Sequence, residues 1–105
     1  MLEKDLQKKC IDYLHNKGAY TVKVISANKS GVPDILACVP VVITTDMVGD
    51  TLGLFVGAEI KNPNGKGVTS PLQKRNIKQI QNAGGLSASN IICLEDLKRL
   101  LKNEQ

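Results

Sequence analysis

Three residues in two short segments of the chain have side chains suited to hydrolysis at a phosphate. Asp34 follows a proline at the end of a loop, and Glu59 precedes Lys61 by two positions. Two carboxylates that lie close together repel each other unless a cation neutralises them, and Mg²⁺ prefers carboxylate oxygens and water. An ammonium group beside such a site could orient or help deprotonate an attacking water, or stabilise charge on a phosphate. The residue types therefore favour metal-dependent hydrolysis, provided that the fold brings the three side chains together.

Two predicted strands would position these side chains. Residues 34–44 and 51–61 are mostly apolar and β-branched, and turn-forming residues separate them, so we predict a β-hairpin. If the hairpin is symmetric about positions 46 and 47, Asp34 falls opposite Glu59, with the two Cβ atoms about 5 Å apart. Because strand side chains alternate between two faces, the lysine of the Glu-x-Lys segment shares the face of Glu59.

The rest of the chain alternates between helical and strand patterns. These patterns predict helices at 2–16, 70–83 and 94–102, and further strands at 20–25 and 86–93. Ser70 suits the N-cap of the second helix, and Pro71 suits its first helical position. Pro40 has no N–H to donate to a β-ladder, so it marks a bulge or an edge of the predicted strand. The order αβββαβα predicts an α/β fold with a central mixed β-sheet flanked by helices. The length of 105 residues fits a single domain over 1–105.

Neither motif is specific by itself. Glu-x-Lys is common in strands and Pro-Asp is common in turns, and a surface salt bridge would explain Glu59 and Lys61 well enough. The hairpin register that brings Asp34 to the same place is what favours a shared site.

Three motifs follow one another along the chain: Gly31-Val32-Pro33-Asp34, Glu59-Ile60-Lys61 and Gln73. In this order they resemble the PD-(D/E)xK nuclease superfamily, and more narrowly the stand-alone viral and phage type of VRR-NUC domain, over nearly the whole chain. The resemblance implies a restriction-endonuclease-like core. It also implies that Asp34, Glu59 and the backbone carbonyl of Ile60 bind Mg²⁺ or Mn²⁺, and that Lys61 is the catalytic lysine.

Two helical residues match further positions of the same family. Glu3 matches the acidic residue on the first helix that often completes the metal site, and Gln73 matches the glutamine near the catalytic lysine. Each also has a simpler explanation, because the helix dipole favours an acidic first turn and Ser70-x-x-Gln73 forms a capping box. The helical period places Gln73 on the face of Ile77 and Ile80, so we expect it to point toward the core side.

The chain is basic, with 14 Lys and Arg residues against 10 Asp and Glu residues and a net charge of +4. This balance favours an anionic partner, although a solvated basic surface explains it equally well. We expect contacts to DNA phosphates from the basic residues in or near the loops that flank the motifs, namely Lys23, Lys29, Lys66, Lys74 and Arg75.

Composition argues against several other kinds of protein. Three cysteines without close spacing argue against a disulfide framework, and one histidine without a CxxC motif argues against a zinc site. We expect the cysteines to be buried small hydrophobic residues. The apolar stretches are too short to span a bilayer, and the charged N-terminus lacks the apolar core of a secretory signal. The simplest location is the cytoplasm (that of the host cell, if the chain is phage-encoded), with no membrane partner.

The resemblance implies a metal-dependent, structure-specific DNA endonuclease that hydrolyses phosphodiester bonds in branched DNA such as four-way (Holliday) junctions. Because the paired cuts in a four-way junction are related by two-fold symmetry, we predict a homodimer. Three alternatives stay open: a non-catalytic nucleic-acid-binding module with the nuclease fold, a restriction-type nuclease, and an ordinary domain in which the motifs occur by chance.

Overall fold

The computed structural model describes residues 2–102 of the chain. The described part contains, in order, α1 (Glu3–Asn16), β1 (Tyr20–Lys23), β2 (Ile35–Cys38), a short 3₁₀ helix (Thr45–Met47), β3 (Val56–Ile60), α2 (Pro71–Asn82), β4 (Leu86–Ile91) and α3 (Leu94–Lys102). The predicted order of helices and strands is confirmed. The chain divides into two compact units, of which the first ends at Val42 and the second begins at Ile43.

The first unit consists of α1 and an antiparallel β1–β2 hairpin. Gly18 follows α1 with a φ of 82°, a left-handed conformation in which glycine is unstrained. The hairpin register places Tyr20 opposite Cys38. Beyond the strand ends, the Val24 N–H donates to the Asp34 carbonyl at 2.8 Å. Asp34 therefore immediately precedes β2, with its backbone tied to the chain that leaves β1.

The second unit is built on the parallel strands β3 and β4, with α2 as their connection and α3 packed against β4. Parallel strands require a crossover connection of this kind, which a helix commonly provides. Gly57 allows α2 to approach β3 closely, since a Cβ at this position would lie 2.7 Å from Ile80 Cδ1. The buried apolar residues of this unit come from α2, β4 and the turn between them: Ile80, Ala83, Leu86 and Ile91.

The predicted hairpin between the second and third strands is wrong. β2 pairs with β1 and β3 pairs with β4, so the described strands form two two-stranded sheets and not one central mixed sheet. Residues 39–55 contain no strand, because Pro40 lacks the N–H that a ladder needs and Thr45–Met47 forms a 3₁₀ helix. An apolar, β-branched run indicates that a segment can form a strand but does not identify its partner. The mixed α/β class is confirmed, whereas the restriction-endonuclease-like core and the single domain stay predictions.

Some surface features differ from the sequence-based expectation. Val42 and Ile43, assigned by their pattern to a strand or its edge, are 86% and 74% exposed.

Cys38 is buried, and burial raises the pKa of its thiol. Cys10 and Cys93 are exposed, so the expectation of buried cysteines is correct for one residue of three. Within residues 2–102, no helix combines the length and the hydrophobicity needed to cross a membrane.

Candidate functional site

The side chains of Glu59, Lys61 and Gln73 form a closed, hydrogen-bonded cluster in the second unit. Gln73 Nε2 donates to Glu59 Oε1 at 2.6 Å, and the Lys61 ammonium group donates to Gln73 Oε1 at 2.8 Å. An ion pair of 3.6 Å between Lys61 Nζ and Glu59 Oε1 completes the triangle. Three residues that the motifs assign to one site are therefore in mutual contact, and we call them the Glu59–Lys61–Gln73 cluster.

One strand and one helix position this cluster. Glu59 lies in β3 and Lys61 directly follows it, so the alternation of strand side chains turns both toward the same side. Gln73 lies in the first turn of α2, where its N–H donates to Ser70 Oγ at 3.1 Å and its Oε1 accepts from the Ser70 N–H at 3.0 Å. The predicted capping box, with Pro71 at the start of the helix, is confirmed.

The surrounding groups define the orientation of the Gln73 carboxamide. Its Oε1 accepts from the Ser70 N–H and from the Lys61 ammonium group, and both of these groups can only donate. The amide nitrogen then faces the Glu59 carboxylate, which can only accept when ionised. A flipped amide would set donor against donor at Lys61 and acceptor against acceptor at Glu59, so one orientation satisfies all the contacts.

The loop after β3 covers the aliphatic part of Lys61. The Lys61 side chain is 12% exposed, and a Cβ at Gly67 would lie only 3.0 Å from Lys61 Cβ. Local turns hold this loop: Asn62 Oδ1 accepts from the Asn64 N–H at 3.0 Å, and Asn64 Oδ1 accepts from the Lys66 N–H at 2.8 Å. An ammonium group with so little access to water depends on protein oxygens for its hydrogen bonds.

A cavity of about 240 Å³ lies beside Lys61 in the same unit. Its lining contains one cation, one carboxamide, two glycines and one apolar side chain: Lys61, Asn90, Gly65, Gly67 and Ile92. The cavity therefore places open space next to the side chain of Lys61.

Asn90 reaches this cavity from a bulge in β4. Between the pairs Ala58↔Ala88 and Ile60↔Ile91, β3 has one residue and β4 has two. Asn90 has a φ of 61° and, within residues 2–102, is the only residue other than glycine in the left-handed region. Asn90 is not predictable from the sequence, because the pattern of residues 86–93 is typical of a regular strand and does not indicate the bulge.

Asp34 and Glu3 lie in the first unit. The exposed Asp34 side chain accepts a hydrogen bond at its Oδ2 from Gln7 Nε2, at 3.3 Å. Glu3 is exposed in the first turn of α1, and because it precedes Gln7 by four positions, the two share a helix face. Gln7 thus connects Asp34 to α1, a role that no motif indicates. The expected opposition of Asp34 and Glu59 across a hairpin is wrong, because β2 has β1 as its partner.

The basic residues expected to contact DNA are all exposed: Lys23, Lys29, Lys66, Lys74 and Arg75. None of them forms an ion pair with a carboxylate of the described residues. Lys66 belongs to the loop that covers Lys61, and Lys74 and Arg75 directly follow Gln73 in α2. The elements that carry the cluster therefore also carry three basic side chains whose charge is not neutralised by a neighbour.

The donor chemistry at Glu59 fits a hard divalent cation. Both contacts of its carboxylate use Oε1, whereas Oε2 accepts no hydrogen bond from a described residue, and the side chain is 34% exposed. Carboxylate and carbonyl oxygens suit Mg²⁺, which commonly binds through one or two carboxylates and keeps several waters. No group of three His, Cys, Asp or Glu side chains able to hold a metal occurs within residues 2–102. Within the cluster, Glu59 therefore offers one carboxylate oxygen that such an ion could use.

The chain matches no protein-family model, no curated protein and no solved structure. In the cluster, Glu59 offers a carboxylate oxygen to a cation, and Lys61 offers a positive charge that Gln73 holds in place. A cation and an ammonium group side by side can together stabilise the negative charge that develops on a phosphate during hydrolysis.

Proposed function

We propose that the chain is a Mg²⁺- or Mn²⁺-dependent endonuclease that hydrolyses phosphodiester bonds of DNA. The observation that carries the proposal is the Glu59–Lys61–Gln73 cluster. A surface salt bridge, the simpler explanation of Glu-x-Lys, leaves both charges in water and holds neither in place. Here Lys61 is 12% exposed and donates to an amide whose other end donates to Glu59. This degree of order supports the functional interpretation of the PD-(D/E)xK-like motifs.

Each motif residue has a role in the proposed reaction. Glu59 and the Ile60 carbonyl would bind the cation, and a metal-binding role for Asp34 and Glu3 rests on the family resemblance alone. When bound, the cation supplies a Lewis acid for the phosphate. Water adds to phosphorus as the P–O bond to the leaving oxygen breaks, and the proton released by the water neutralises that oxygen. Lys61 donates a hydrogen bond to a phosphate oxygen and stabilises its negative charge during this step. Gln73 is a positioning residue, because it holds Lys61 and Glu59 without needing to touch DNA.

We propose branched DNA, such as a four-way junction, as the substrate. The exposed basic residues Lys29, Lys66, Lys74 and Arg75 suit phosphate contacts, which provide affinity but carry no direct sequence information. A chain that binds DNA in this way distinguishes substrates by the path of the backbone and not by base edges. A restriction-type nuclease would need additional contacts to bases in a groove.

We also propose that the active form is a homodimer, because the two cuts that resolve a four-way junction are related by a two-fold axis. The exposure of Val42, Ile43 and Val48, at 86%, 74% and 79%, supports self-association. Apolar surface that is exposed to water favours association, because a dimer would remove it from water.

A cleavage assay tests the enzymatic part of the proposal. End-labelled four-way junction, flap and linear duplex DNA are incubated with Mg²⁺, Mn²⁺ or a chelator. Glu59→Gln keeps the size of the side chain but removes its charge, and Asp34→Ala tests the residue that the resemblance adds. We expect metal-dependent cleavage of the junction, and a loss of about a hundredfold or more in each variant. Glu95→Gln is the matched control, because Glu95 forms an exposed pair with Lys98 on α3.

Thermal unfolding with Mn²⁺ separates a nuclease from a non-catalytic DNA-binding module. A ligand that binds only the folded state at about 100 times its Kd stabilises it by about 2.7 kcal/mol. In a chain of this size that corresponds to a rise in Tm on the order of 10 °C. We expect this rise for the wild type and for Glu95→Gln, but not for Glu59→Gln. No cleavage and no rise in Tm would leave the binding module, and discrete fragments from long duplex DNA would favour a restriction-type nuclease.

A further inference from the structure

The backbone at Asn90 requires a left-handed conformation but does not require a carboxamide. At a φ of 61°, glycine is unstrained, and asparagine is among the few other residues that adopt this region with any frequency. A bulge with this geometry could therefore be formed equally well by glycine. The carboxamide is therefore not required by the backbone conformation and is free for a further role.

The carboxamide of Asn90 has no partner within the described part of the chain. No described residue forms a hydrogen bond with this side chain, and the residue is exposed. It nevertheless lines the cavity beside Lys61. An amide group supplies two N–H donors, and both remain available to a molecule that enters the cavity.

The lining of the cavity favours an anion. Its single charged residue is Lys61, and the five lining residues include no carboxylate. The ammonium group has three N–H donors, of which one is directed to Gln73 and a second faces Glu59. Lys61 and Asn90 therefore bring one cationic side chain and two N–H donors of a carboxamide to the lining of the same cavity.

The size and the walls of the cavity suit a phosphate with part of its sugar. Its volume of about 240 Å³ is roughly eight times the share of one water molecule in the liquid. Gly65 and Gly67 form a wall without side chains, and a Cβ at Gly65 would have no atom within 4 Å. Ile92 supplies an apolar surface against which the carbon atoms of a sugar can lie.

We propose that Asn90 is a further substrate-contacting residue, whose carboxamide donates a hydrogen bond to a backbone phosphate of nucleic acid held in the cavity beside Lys61. This inference rests on the proposed function, because it names the phosphate subsite next to the candidate catalytic lysine. It assigns to Asn90 the binding of the DNA backbone and not the chemical step.

Two substitutions distinguish the role of the Asn90 carboxamide from that of the left-handed backbone conformation. Asn90→Gly keeps the left-handed conformation and removes the side chain, so the fold should be retained. Asn90→Asp keeps the shape of the side chain but replaces the N–H donors with a negative charge. Ser89→Gly is the matched control, because Ser89 occupies the same bulge and does not line the cavity.

The probe is a fluorescein-labelled four-way junction, with a duplex of equal length beside it. Its Kd is measured by anisotropy in chelator, and KM and kcat are measured in Mg²⁺. We expect Asn90→Gly to raise Kd and KM about tenfold, as for loss of a hydrogen bond to a charged group, with kcat changed much less. Asn90→Asp should weaken binding further, and more strongly at low salt, because it repels phosphate. Ser89→Gly should bind as the wild type does.

The outcomes separate this inference from the proposed function. If the wild type binds the junction but cleaves nothing, the endonuclease proposal fails, and the Kd values of the Asn90 variants still decide the role of Asn90. If the wild type cleaves and the folded Asn90→Gly variant has wild-type Kd and KM, the inference is overturned while the endonuclease stands. If Asn90→Gly does not fold, the Asn90→Asp variant tests the inference instead. A wild-type Kd of Asn90→Asp for the junction would then overturn the inference.

Discussion

The carboxamide of Gln73 belongs at once to the N-terminal cap of α2 and to the Glu59–Lys61–Gln73 cluster. Its oxygen accepts from the Ser70 N–H and from Lys61, and its nitrogen donates to Glu59. Removal of this side chain should therefore have two separable effects. Loss of the cap lowers the stability of the fold, and loss of the contacts to Lys61 and Glu59 lowers the rate of the proposed reaction.

We predict that Gln73→Ala lowers the free energy of unfolding by about 1 kcal/mol, as for loss of a capping contact. It should also lower kcat about tenfold or more while KM changes little, because Gln73 positions other side chains and does not hold DNA. Gln73→Glu can still form the capping box, but it places a second carboxylate beside Glu59. The cap should therefore be kept, whereas repulsion between the carboxylates should disturb the cluster and keep kcat low.

Urea unfolding and steady-state kinetics on junction DNA measure the two effects. Gln79→Ala, an exposed glutamine on the same helix, is the control for the loss of a helical glutamine. A wild-type kcat in Gln73→Ala would contradict the positioning role, and a low kcat in both Gln73 variants supports it.

At the scale of single residues, the sequence predicts the contacts that depend on short spacing. The strand period brought Glu59 and Lys61 to one side, and the spacing of Ser70 and Gln73 predicted the capping box. Asn90 was not predicted, because its role depends on a bulge that arises from the pairing of two strands. Gln7 was not predicted either, because its contact with Asp34 depends on how α1 and β2 pack.

At the scale of elements, the order of helices and strands is predictable from the sequence, whereas the lengths of β2 and β3 and the partners of the strands are not. β3 pairs with β4 across the α2 crossover, whereas β2 pairs back to β1. The apolar patterns of the strands are compatible both with the observed pairings and with the predicted hairpin. The patterns alone therefore do not distinguish between the two arrangements. The pairing of the strands depends on which connecting segment can pack against the sheet, and the sequence pattern does not show this packing.

The start of α3 depends on one carboxylate. Asp96 Oδ2 accepts from the Ile92 N–H at 3.1 Å, and its other oxygen pairs with Arg99. The hydrogen bond from Ile92 is the main reason why the pKa of Asp96 lies below its ordinary value of 3.8, with further contributions from Cys93 and Arg99. Because the folded state lowers this pKa, the ionised carboxylate stabilises the fold above pH 3.8, and this contribution is lost as the pH falls through the lowered pKa.

We therefore predict a pH-dependent effect of Asp96→Asn on the start of α3. Its Tm should lie below that of the wild type at neutral pH, and the difference should shrink as the pH falls below 3.8. Thermal unfolding followed by circular dichroism between pH 2 and pH 7 measures the difference. Glu95→Gln, which affects only an exposed pair with Lys98, should show no comparable convergence. A difference in Tm for Asp96→Asn that stays constant across this range would contradict the assignment.

At the scale of the whole molecule, a net charge of +4 and exposed apolar residues suggest two kinds of association. The positive charge favours DNA, with an affinity that falls as salt rises. The apolar residues favour a second copy of the chain, since burial of apolar surface is the main driving force of protein association. The two preferences are compatible in a dimer that resolves a branched substrate.

We predict that the double variant Val42→Lys, Ile43→Lys weakens the dimer about tenfold or more, because it replaces apolar contacts with like charges. Sedimentation at micromolar concentration measures the mass, and the junction assay shows whether paired cuts become single nicks. Ile25→Lys is the control, because Ile25 is 90% exposed in a loop outside this segment. A monomeric wild type, or a double variant as dimeric as the wild type, would contradict the proposed interface.

The cluster is also local along the chain, since its hydrogen bonds join residues only 12 and 14 positions apart. The entropy lost on closing such short loops is small, so contacts of this kind can form early during folding. Docking of α2 on β3 would then create a folding nucleus and the candidate active site from the same residues. Substitution of a cluster residue would then change the folding rate as well as the proposed reaction.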